Sequence, residues 1–476
     1  MAFTNMFFIG RFLPIFLIVY YLAPSKFRDA ILFIGSILFY AYGDKKMALL
    51  LVILTIINYY IGLALLLNRG MTTEILPTVD SLTKRTIEPP IMSKERILSR
   101  KVLLSVIVCI DALVLITFKV LTYHSRTFFL PLGISFYIFK MISYQADLYM
   151  GVIKVNPTFV RTAAYFTMFP QIAEGPIMQY EDGDFSRPRG RVFSLQKFED
   201  GVVLSCIGIA MKVLLADRIG ILWNEILKVG YENISTPLAW LGAFSYTFQL
   251  YFDFWGYSLI ASGIGMMLGF KNIINFNHPY AAADISDFYR RWHATLGTWF
   301  KNYIYFPLGG SRRGKWRTIL NLLIVWAITG LWHGGDINFL IWGLVLGIFI
   351  ILEKFVFKDL ISHFPILGHL NVFILIPLTW VIFAISDLHL MSVYFARLFP
   401  FFNIGKTLIK MDYLNYLKIY WPYFTASIIL CIPFVYNFIY EKRKNPLVII
   451  FLLALFLLSM YYAVSSQGNA FMYFSF

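Results

Sequence analysis

The chain has 476 residues, of which 59% are hydrophobic and only 14% are charged. A soluble domain carries about 25% charged residues, so this composition excludes an ordinary soluble protein. The net charge of +15 comes from Lys and Arg in short loops between apolar runs, which is typical of cytoplasmic loops and not of nucleic-acid binding. The three cysteines lie in apolar runs without CxxC spacing, so they indicate neither disulfides nor a metal site.

Apolar segments follow one another along the chain, and several approach the roughly 20 residues that cross a bilayer. They cover residues 7–23, 29–43, 47–68, 102–123, 128–149, 201–225, 238–269, 317–332, 337–357, 366–386, 422–440 and 447–464. This pattern predicts an all-α polytopic membrane protein with about 10–12 membrane elements in one domain over residues 1–476. If the basic stretches 24–29 and 441–445 are both cytoplasmic, both termini are extracytoplasmic.

Two stretches look unsuited to simple spans. Residues 130–151 contain Lys140 and Asp147, and residues 169–180 contain two prolines and Glu174. Irregular backbone at membrane depth needs protein or a water-filled cavity to cover it, so these stretches predict an internal polar cavity. A transporter shows the same pattern, often in two related halves. The sequence shows no such internal symmetry.

The segment 288–343 contains His293 in a basic, aromatic stretch and His333 at the end of an apolar run. An ionisable side chain at membrane depth is costly, which makes His333 a candidate functional residue. The blocks FYRRWHATLGTWFKNYIYFPLGG and LWHGGDINFLIWG resemble the membrane-bound O-acyltransferase family. LPLGISFYIFKMISYQADLY and FPQIAEGPIMQY resemble earlier blocks of its bacterial alginate O-acetylation branch. The resemblance implies short or re-entrant helices around a central tunnel, with a catalytic core at about residues 128–345.

The family pattern implies an essential histidine at His333 and a second recurrent histidine at His293. A hydroxyl that attacks an acyl thioester must lose its proton, and a neutral imidazole is a natural base for that step. We therefore predict His333 as the general base. For His293, a direct role with the substrate and a structural role both stay open.

Further residues of the block are candidates for the tunnel and for donor binding. Trp332, followed by two glycines, leaves room for a narrow thioester arm. Asp336, three residues after His333, is a candidate to hold the imidazole tautomer, although the glycine pair between them disfavours helical geometry. Asp253 and Asn277 are polar residues beside aromatics, for which packing and capping are the alternatives. The predicted donor-binding residues are Arg290, Arg291, Arg312, Arg313 and Lys315, for which retention on the cytoplasmic side is the alternative.

The tail 465–476 is predicted to be extracytoplasmic, and in it Phe471, Tyr473 and Phe476 form an F-x-Y-x-x-F ending. This ending resembles one in bacterial acyl-export systems of the family, which implies that Tyr473 accepts the acyl group and passes it on. A phenol is a competent acyl acceptor when a base is nearby. The alternative is an aromatic belt at the membrane interface.

These observations predict a membrane O-acyltransferase that relays an acyl group, foremost acetyl, to an exported polysaccharide. The donor is a cytoplasmic thioester, either acetyl-coenzyme A or an acyl carrier protein, and no tightly bound cofactor is expected. An extracytoplasmic SGNH-type transferase is the expected partner at the cytoplasmic membrane. The alternatives are D-alanyl transfer to teichoic acid and a transporter of polysaccharide or lipid intermediates without chemistry of its own.

Overall fold

The computed structural model describes residues 3–68, 94–124, 130–153, 157–172, 175–183, 185, 191–399, 401 and 411–465. Over these residues the regular structure is helical and contains no strand. They fall into two compact units: one comprises Phe12–Leu195 with Leu268–Lys271, and the other comprises Ala2–Arg11, Gln196–Met267 and Asn272–Phe476. The predicted single domain over the whole chain stays a prediction.

The first unit contains seven described α-helices. They are α1 (Leu13–Leu22), α2 (Arg28–Gly43), α3 (Lys45–Leu67), α4 (Lys94–His124), α5 (Ile134–Met150), α6 (Phe159–Thr167) and α7 (Phe169–Ile172). α5 is regular throughout, although its polar residues predicted an irregular backbone. Its buried Lys140 donates to the carbonyl of Tyr165 at 3.0 Å, and Gln145 donates to the side chain of Asn58 at 3.0 Å. A hydrogen bond inside this unit therefore provides a partner for Lys140, which the sequence assigned to a cavity.

The second unit contains the remaining helices and both candidate catalytic histidines. Its α-helices are α8 (Leu195–Ala210), α9 (Asp217–Val229), α10 (Thr236–Met267), α11 (Ile285–Arg291), α12 (Ala294–Phe300), α13 (Lys315–His333), α14 (Ile337–Phe355), α15 (Lys358–His363), α16 (Pro365–Ala384), α17 (Leu388–Leu398), α18 (Asp412–Cys431), α19 (Pro433–Glu441) and α20 (Pro446–Ser465). α10 is apolar on all sides and almost entirely buried, as expected of a helix at the centre of a packed bundle.

Five described helices are long and apolar enough to cross a membrane. They are Lys45–Leu67, Leu98–His124, Ile337–Phe355, Pro365–Ala384 and Pro446–Ser465. The predicted segment 422–440 is not one straight element, because α18 and α19 meet at an angle of 76° just before Pro433. The pair counts as a sixth candidate if it is one broken span. The larger predicted number, about 10–12 elements, also includes shorter and less apolar helices and stays a prediction.

Glycines let α13 and α14 pack as a close hairpin. A Cβ atom on Gly330 would lie 2.4 Å from the carbonyl oxygen of Phe339, and one on Gly343 would lie 2.3 Å from that of Trp326. Such distances leave no room for a side chain, so the two backbones are in direct contact. This hairpin carries His333 at the end of its first helix.

Candidate active site

A cavity of about 1090 Å³ lies in the second unit, and both His293 and His333 line it. Side chains from α10 to α16 contribute to its wall, and the lining reaches beyond residue 345, the predicted end of the catalytic core. The two histidines are 40 positions apart in sequence, and the fold brings them to one cavity. A concave, mostly apolar cavity with a few polar groups is the usual form of a small-molecule site.

His333 is the last residue of α13 and packs among aromatic rings. The centroid of its ring lies 4.6 Å from that of Trp332, 5.1 Å from that of Trp342 and 5.1 Å from that of Phe383. All three pairs are edge-to-face, the arrangement that the quadrupoles of aromatic rings favour. Aromatic packing on three sides therefore orients this imidazole.

A row of four aromatic side chains, the aromatic wall, leads from His333 to His293 and lines the cavity. In this order its members are Trp342, Trp380, Trp292 and Phe254. Successive ring centroids from His333 to His293 are 5.1, 5.6, 5.0, 6.5 and 4.7 Å apart. The wall gives the space between the two histidines an apolar side.

His293 stands directly before α12 in the left-handed backbone conformation, with φ 44° and ψ 50°. Its side chain is buried, and its Nδ1 lies 3.0 Å from Oδ1 of Asn275. Burial lowers the pKa of His293 to about 3, because desolvation disfavours the imidazolium. A non-glycine residue with positive φ is uncommon and is often found where a site holds its backbone under strain.

Asn275 is a site residue that the sequence reasoning missed. It is 2% exposed, whereas the predicted tunnel residue Asn277, two positions later, is exposed. The backbone N–H of Asn277 donates to the carbonyl of Arg291 at 3.0 Å, so Asn277 contributes a main-chain contact near the site. Both asparagines lie in the segment INFNHPY, whose content of polar residues was the available signal.

Glu353 is a second missed residue and lines the cavity from α14. Its buried carboxylate accepts the backbone N–H of Ile285 at 3.0 Å and that of Ser286 at 3.4 Å. These are N–H groups of the first turn of α11, which have no partner within the helix. Glu353 therefore links the hairpin that carries His333 to the short helix that leads to His293.

Four exposed basic side chains also line the cavity and form its basic rim. They are Arg290, Lys301, Lys354 and Lys358. Arg290 is thus the one predicted donor-binding residue that belongs to the lining, and it also pairs with Asp287 at 3.2 Å. Arg291 pairs with the same Asp287 at 2.9 Å. The other three predicted residues, Arg312, Arg313 and Lys315, are exposed and are not among the lining residues of the described chain.

The predicted tunnel residues Trp332, Asp336 and Asp253 are likewise not among the described residues that line the cavity. Trp332 contacts the ring of His333. Asp336 follows the helix break after His333 and stands at the N-cap of α14, where its carbonyl accepts the N–H of Phe339.

Asp253 lies in a buried ion pair. Its Oδ1 accepts a hydrogen bond from Nζ of Lys212 at 2.6 Å, and the same ammonium donates to Asp217 at 2.6 Å. Lys212 is 2% exposed, so a structural role as the counter-ion of a buried lysine accounts for Asp253.

Gly334 serves packing at the position where it was expected to admit a thioester arm. A Cβ atom there would lie 2.2 Å from the ring of Phe339. Tyr473 and the rest of the predicted acyl-carrying tail lie outside the described residues. Within the described part of the chain, no group of three or more His, Cys, Asp or Glu side chains is arranged to hold a metal ion.

Comparison with known proteins identifies the family of this site. The model of the MBOAT, membrane-bound O-acyltransferase family matches residues 39–397, a range that includes both histidines. The probable alginate O-acetylase AlgI of Pseudomonas syringae pv. tomato is 34% identical over 421 residues, which cover 84% of this chain and 76% of that protein. The peptidoglycan O-acetyltransferase of Helicobacter pylori is 30% identical, over 82% of this chain and 78% of that protein.

A more partial similarity extends to the teichoic acid D-alanyltransferase of Bacillus subtilis, which is 27% identical over 45% of this chain and 56% of that protein. The family match sets aside the alternative of a transporter without chemistry. The chain is a multi-pass membrane acyltransferase and belongs to the membrane-bound O-acyltransferase family.

Proposed function

We propose that this protein transfers an acetyl group from a cytoplasmic thioester across the membrane for the O-acetylation of an exported polysaccharide. The observation that carries the proposal is the cavity that His293 and His333 line together, with an aromatic wall between them and a basic rim. The relatives from Pseudomonas syringae and Helicobacter pylori, which both match this chain over more than four fifths of its length, carry names of O-acetyl transfer. The D-alanyltransferase matches less than half of it.

The reaction needs a base and a place for the thioester carbonyl. The imidazole of His333 takes the proton of the accepting hydroxyl while the hydroxyl oxygen forms a bond to the acyl carbon. The carbon–sulfur bond then breaks, and the imidazolium returns the proton to the leaving thiolate. Protons and electron pairs balance without a metal or a redox cofactor. The expected effect of such a base is about 10²–10⁴-fold in rate.

The basic rim suits an anionic donor. Coenzyme A carries phosphates, and an acyl carrier protein carries acidic side chains, so either donor is attracted to Arg290, Lys301, Lys354 and Lys358. The apolar cavity beyond them accommodates the uncharged acyl end. Of the donor-binding residues predicted from the sequence, Arg290 belongs to this rim, and we propose the lysines of α14, α15 and the segment after α12 as further donor-binding residues.

The test is a transfer assay with the full chain reconstituted in lipid vesicles. Acetyl-coenzyme A labelled in the acetyl group and a carrier protein loaded with labelled D-alanine are supplied in parallel. A third arm supplies a carrier protein loaded with labelled acetyl. Transfer of label from acetyl-coenzyme A or from this acetylated carrier protein supports the proposal. Transfer of D-alanine without transfer of acetyl from either donor would establish the alternative reaction and overturn the proposal.

For the next step we propose that Tyr473 receives the acetyl group as an aryl ester and passes it to an extracytoplasmic SGNH-type transferase. Intact-mass measurement after incubation with the donor tests this step. The expected result is an adduct of one acetyl group that is absent from Tyr473→Phe and present in Tyr461→Phe, a matched tyrosine of α20. An adduct that persists in Tyr473→Phe would overturn the relay.

The relay requires both termini on the extracytoplasmic side of the cytoplasmic membrane. The basic stretches 24–29 and 441–445 then face the cytoplasm. In intact cells, a cysteine introduced at Ser25 or Asn445 is expected to resist a membrane-impermeant maleimide. Labelling of either position before lysis would contradict this orientation.

A further inference from the structure

The amide of Asn275 has an orientation that its neighbours determine. The backbone N–H and the hydroxyl of Thr295 both donate to its Oδ1, at 3.3 Å and 2.8 Å. A backbone N–H can only donate, so the atom that it meets on the amide is the oxygen. The amide nitrogen donates in turn to Oγ of Ser258 at 2.9 Å. Both ends of the amide are therefore assigned.

This orientation determines which nitrogen of His293 carries a proton. Oδ1 of Asn275 has no hydrogen and accepts only, so Nδ1 of His293, 3.0 Å away, donates to it. Burial keeps the imidazole neutral, and a neutral imidazole has one N–H group. Nε2 is then the nitrogen with the lone pair.

Backbone hydrogen bonds also fix the position of Asn275 relative to His293. The carbonyl of Asn275 accepts the N–H of Ala294 at 2.9 Å, and the N–H of Asn277 donates to Arg291 at 3.0 Å. These bonds join the segment after α10 to the turn between α11 and α12 on both sides of His293. The left-handed conformation of His293 is fixed within this frame.

We propose that Asn275 is a positioning residue that fixes His293 as the neutral Nδ1-protonated tautomer, so that Nε2 acts as a hydrogen-bond acceptor in the acyl-transfer cavity. The inference rests on the proposed function and gives His293 a definite chemical role beside His333. Nε2 accepts a hydrogen bond from water or from a donor group of the bound substrate, while the single proton of the attacking hydroxyl goes to His333. Asn275 touches no reacting atom and acts through the imidazole.

The charged side chains around the same cavity do not determine the tautomer of His293. They are Asp284, Arg290, Lys301, Glu353, Lys354 and Lys358. The acids among them have other contacts, since Glu353 caps α11 and Asp284 accepts the N–H of Asp287 at 2.5 Å. An amide in place of a carboxylate orients the ring without stabilising its cation.

The direct test is ¹⁵N NMR of the full-length protein with ¹⁵N-labelled histidine rings, in which the His293 signals are identified by their loss in His293→Gln. The proposal predicts a protonated Nδ1 and an unprotonated Nε2 at pH 7. A protonated Nε2 would overturn it. This measurement needs no acyl donor, so its result is independent of whether the proposed function holds.

Kinetic variants provide the second test. Asn275→Leu removes the acceptor at similar volume and is expected to lower kcat by about 10-fold to 100-fold with KM little changed. Asn275→Asp retains an acceptor but favours imidazolium, so the acidic limb of its pH–rate profile is expected to move to higher pH. The matched control is Asn224→Leu in α9, at an exposed asparagine that is not among the described residues lining the cavity, and it is expected to have the kcat of wild type.

The kinetic result separates positioning from a structural role. Two results together would overturn the proposal. The activity lost in Asn275→Leu would be no larger than the fraction of that variant that is unfolded, and the pH–rate profile of Asn275→Asp would match that of wild type. Wild-type activity in Asn275→Leu would overturn it as well. Absence of transfer by the wild type would count against the proposed function, and the NMR result would still decide the role of Asn275.

Discussion

At the scale of single residues, the two histidines of the cavity are held by different chemistry. Aromatic rings surround His333, whereas an amide and the backbone hold His293. Both arrangements orient the ring, and the hydrogen bond to Asn275 also favours one tautomer of His293. This difference is the basis for proposing a direct chemical role for His293, which the sequence left open.

The buried imidazole of His293 predicts a dependence of stability on pH. Burial lowers its pKa from 6.5 to about 3, so below pH 6.5 the unfolded chain binds a proton that the folded chain does not. Stability is therefore lost as the pH falls from about 6.5 towards about 3. In thermal unfolding in detergent, His293→Gln is expected to reduce this loss.

The matched control for that measurement is His389→Gln, because His389 is exposed on α17. It is expected to leave the pH dependence of the unfolding temperature as in wild type. If the unfolding temperatures of His293→Gln and wild type fell equally steeply below pH 6.5, the assignment of a buried, neutral His293 would be contradicted.

At the scale of elements, Glu353 joins α14 to the first turn of α11. Glu353→Ala leaves the backbone N–H groups of Ile285 and Ser286 without their acceptor, at a cost of about 1–3 kcal/mol for each buried group. Glu353→Gln retains one acceptor oxygen. Chemical denaturation is expected to rank the free energy of unfolding as wild type above the glutamine variant and the glutamine variant above the alanine variant. An alanine variant as stable as wild type would show that the cap is dispensable.

The glycine contact between α13 and α14 makes a second prediction for the elements. Gly343→Ala places a Cβ atom 2.3 Å from the carbonyl of Trp326, so the helices must separate, at about 1–3 kcal/mol. The matched control is Gly265→Ala in α10, where the new Cβ atom meets no other atom within 4 Å. The control is expected to retain or raise the unfolding temperature, and Gly343→Ala to lower it. Equal temperatures for the two variants would contradict the close packing of the hairpin.

The helices show how far the sequence predicts the fold. The apolar run 317–332 corresponds to α13 (Lys315–His333), and 366–386 corresponds to α16 (Pro365–Ala384). Hydrophobic runs of this length determine helix position because the membrane requires internal hydrogen bonding. The bend before Pro433 was missed, since a run of apolar residues does not show where a helix changes direction.

The site was predictable only in part, for physical reasons. His333 was named because ionisable side chains are rare in apolar stretches, and His293 because its block resembles the family pattern. The sequence could not show which of Asn275 and Asn277 is buried, because an irregular segment has no periodic pattern of buried positions. The partner of Asp253 is Lys212, 41 positions earlier, and a pairing at that distance along the chain follows from the tertiary fold alone.

At the scale of the whole molecule, the exposure of the helices agrees with a multi-pass membrane protein. In the most apolar 18-residue stretch of α4 only 11% of the residues are buried, and in that of α20 only 17%. The corresponding share in α14 and in α16 is 44%. Apolar side chains that face outward on such helices are expected to meet lipid hydrocarbon. The two helices with the higher values are also those that supply part of the cavity wall.

The measurement that tests the central claim most directly is the single-turnover rate of acetyl transfer by His333→Ala, compared with His389→Ala. Both are purified as folded protein and reconstituted at equal density. If His333 is the base, His333→Ala loses about 10²–10⁴-fold in rate and His389→Ala keeps the wild-type rate. A His333→Ala protein that transfers acetyl at the wild-type rate would show that the base lies elsewhere.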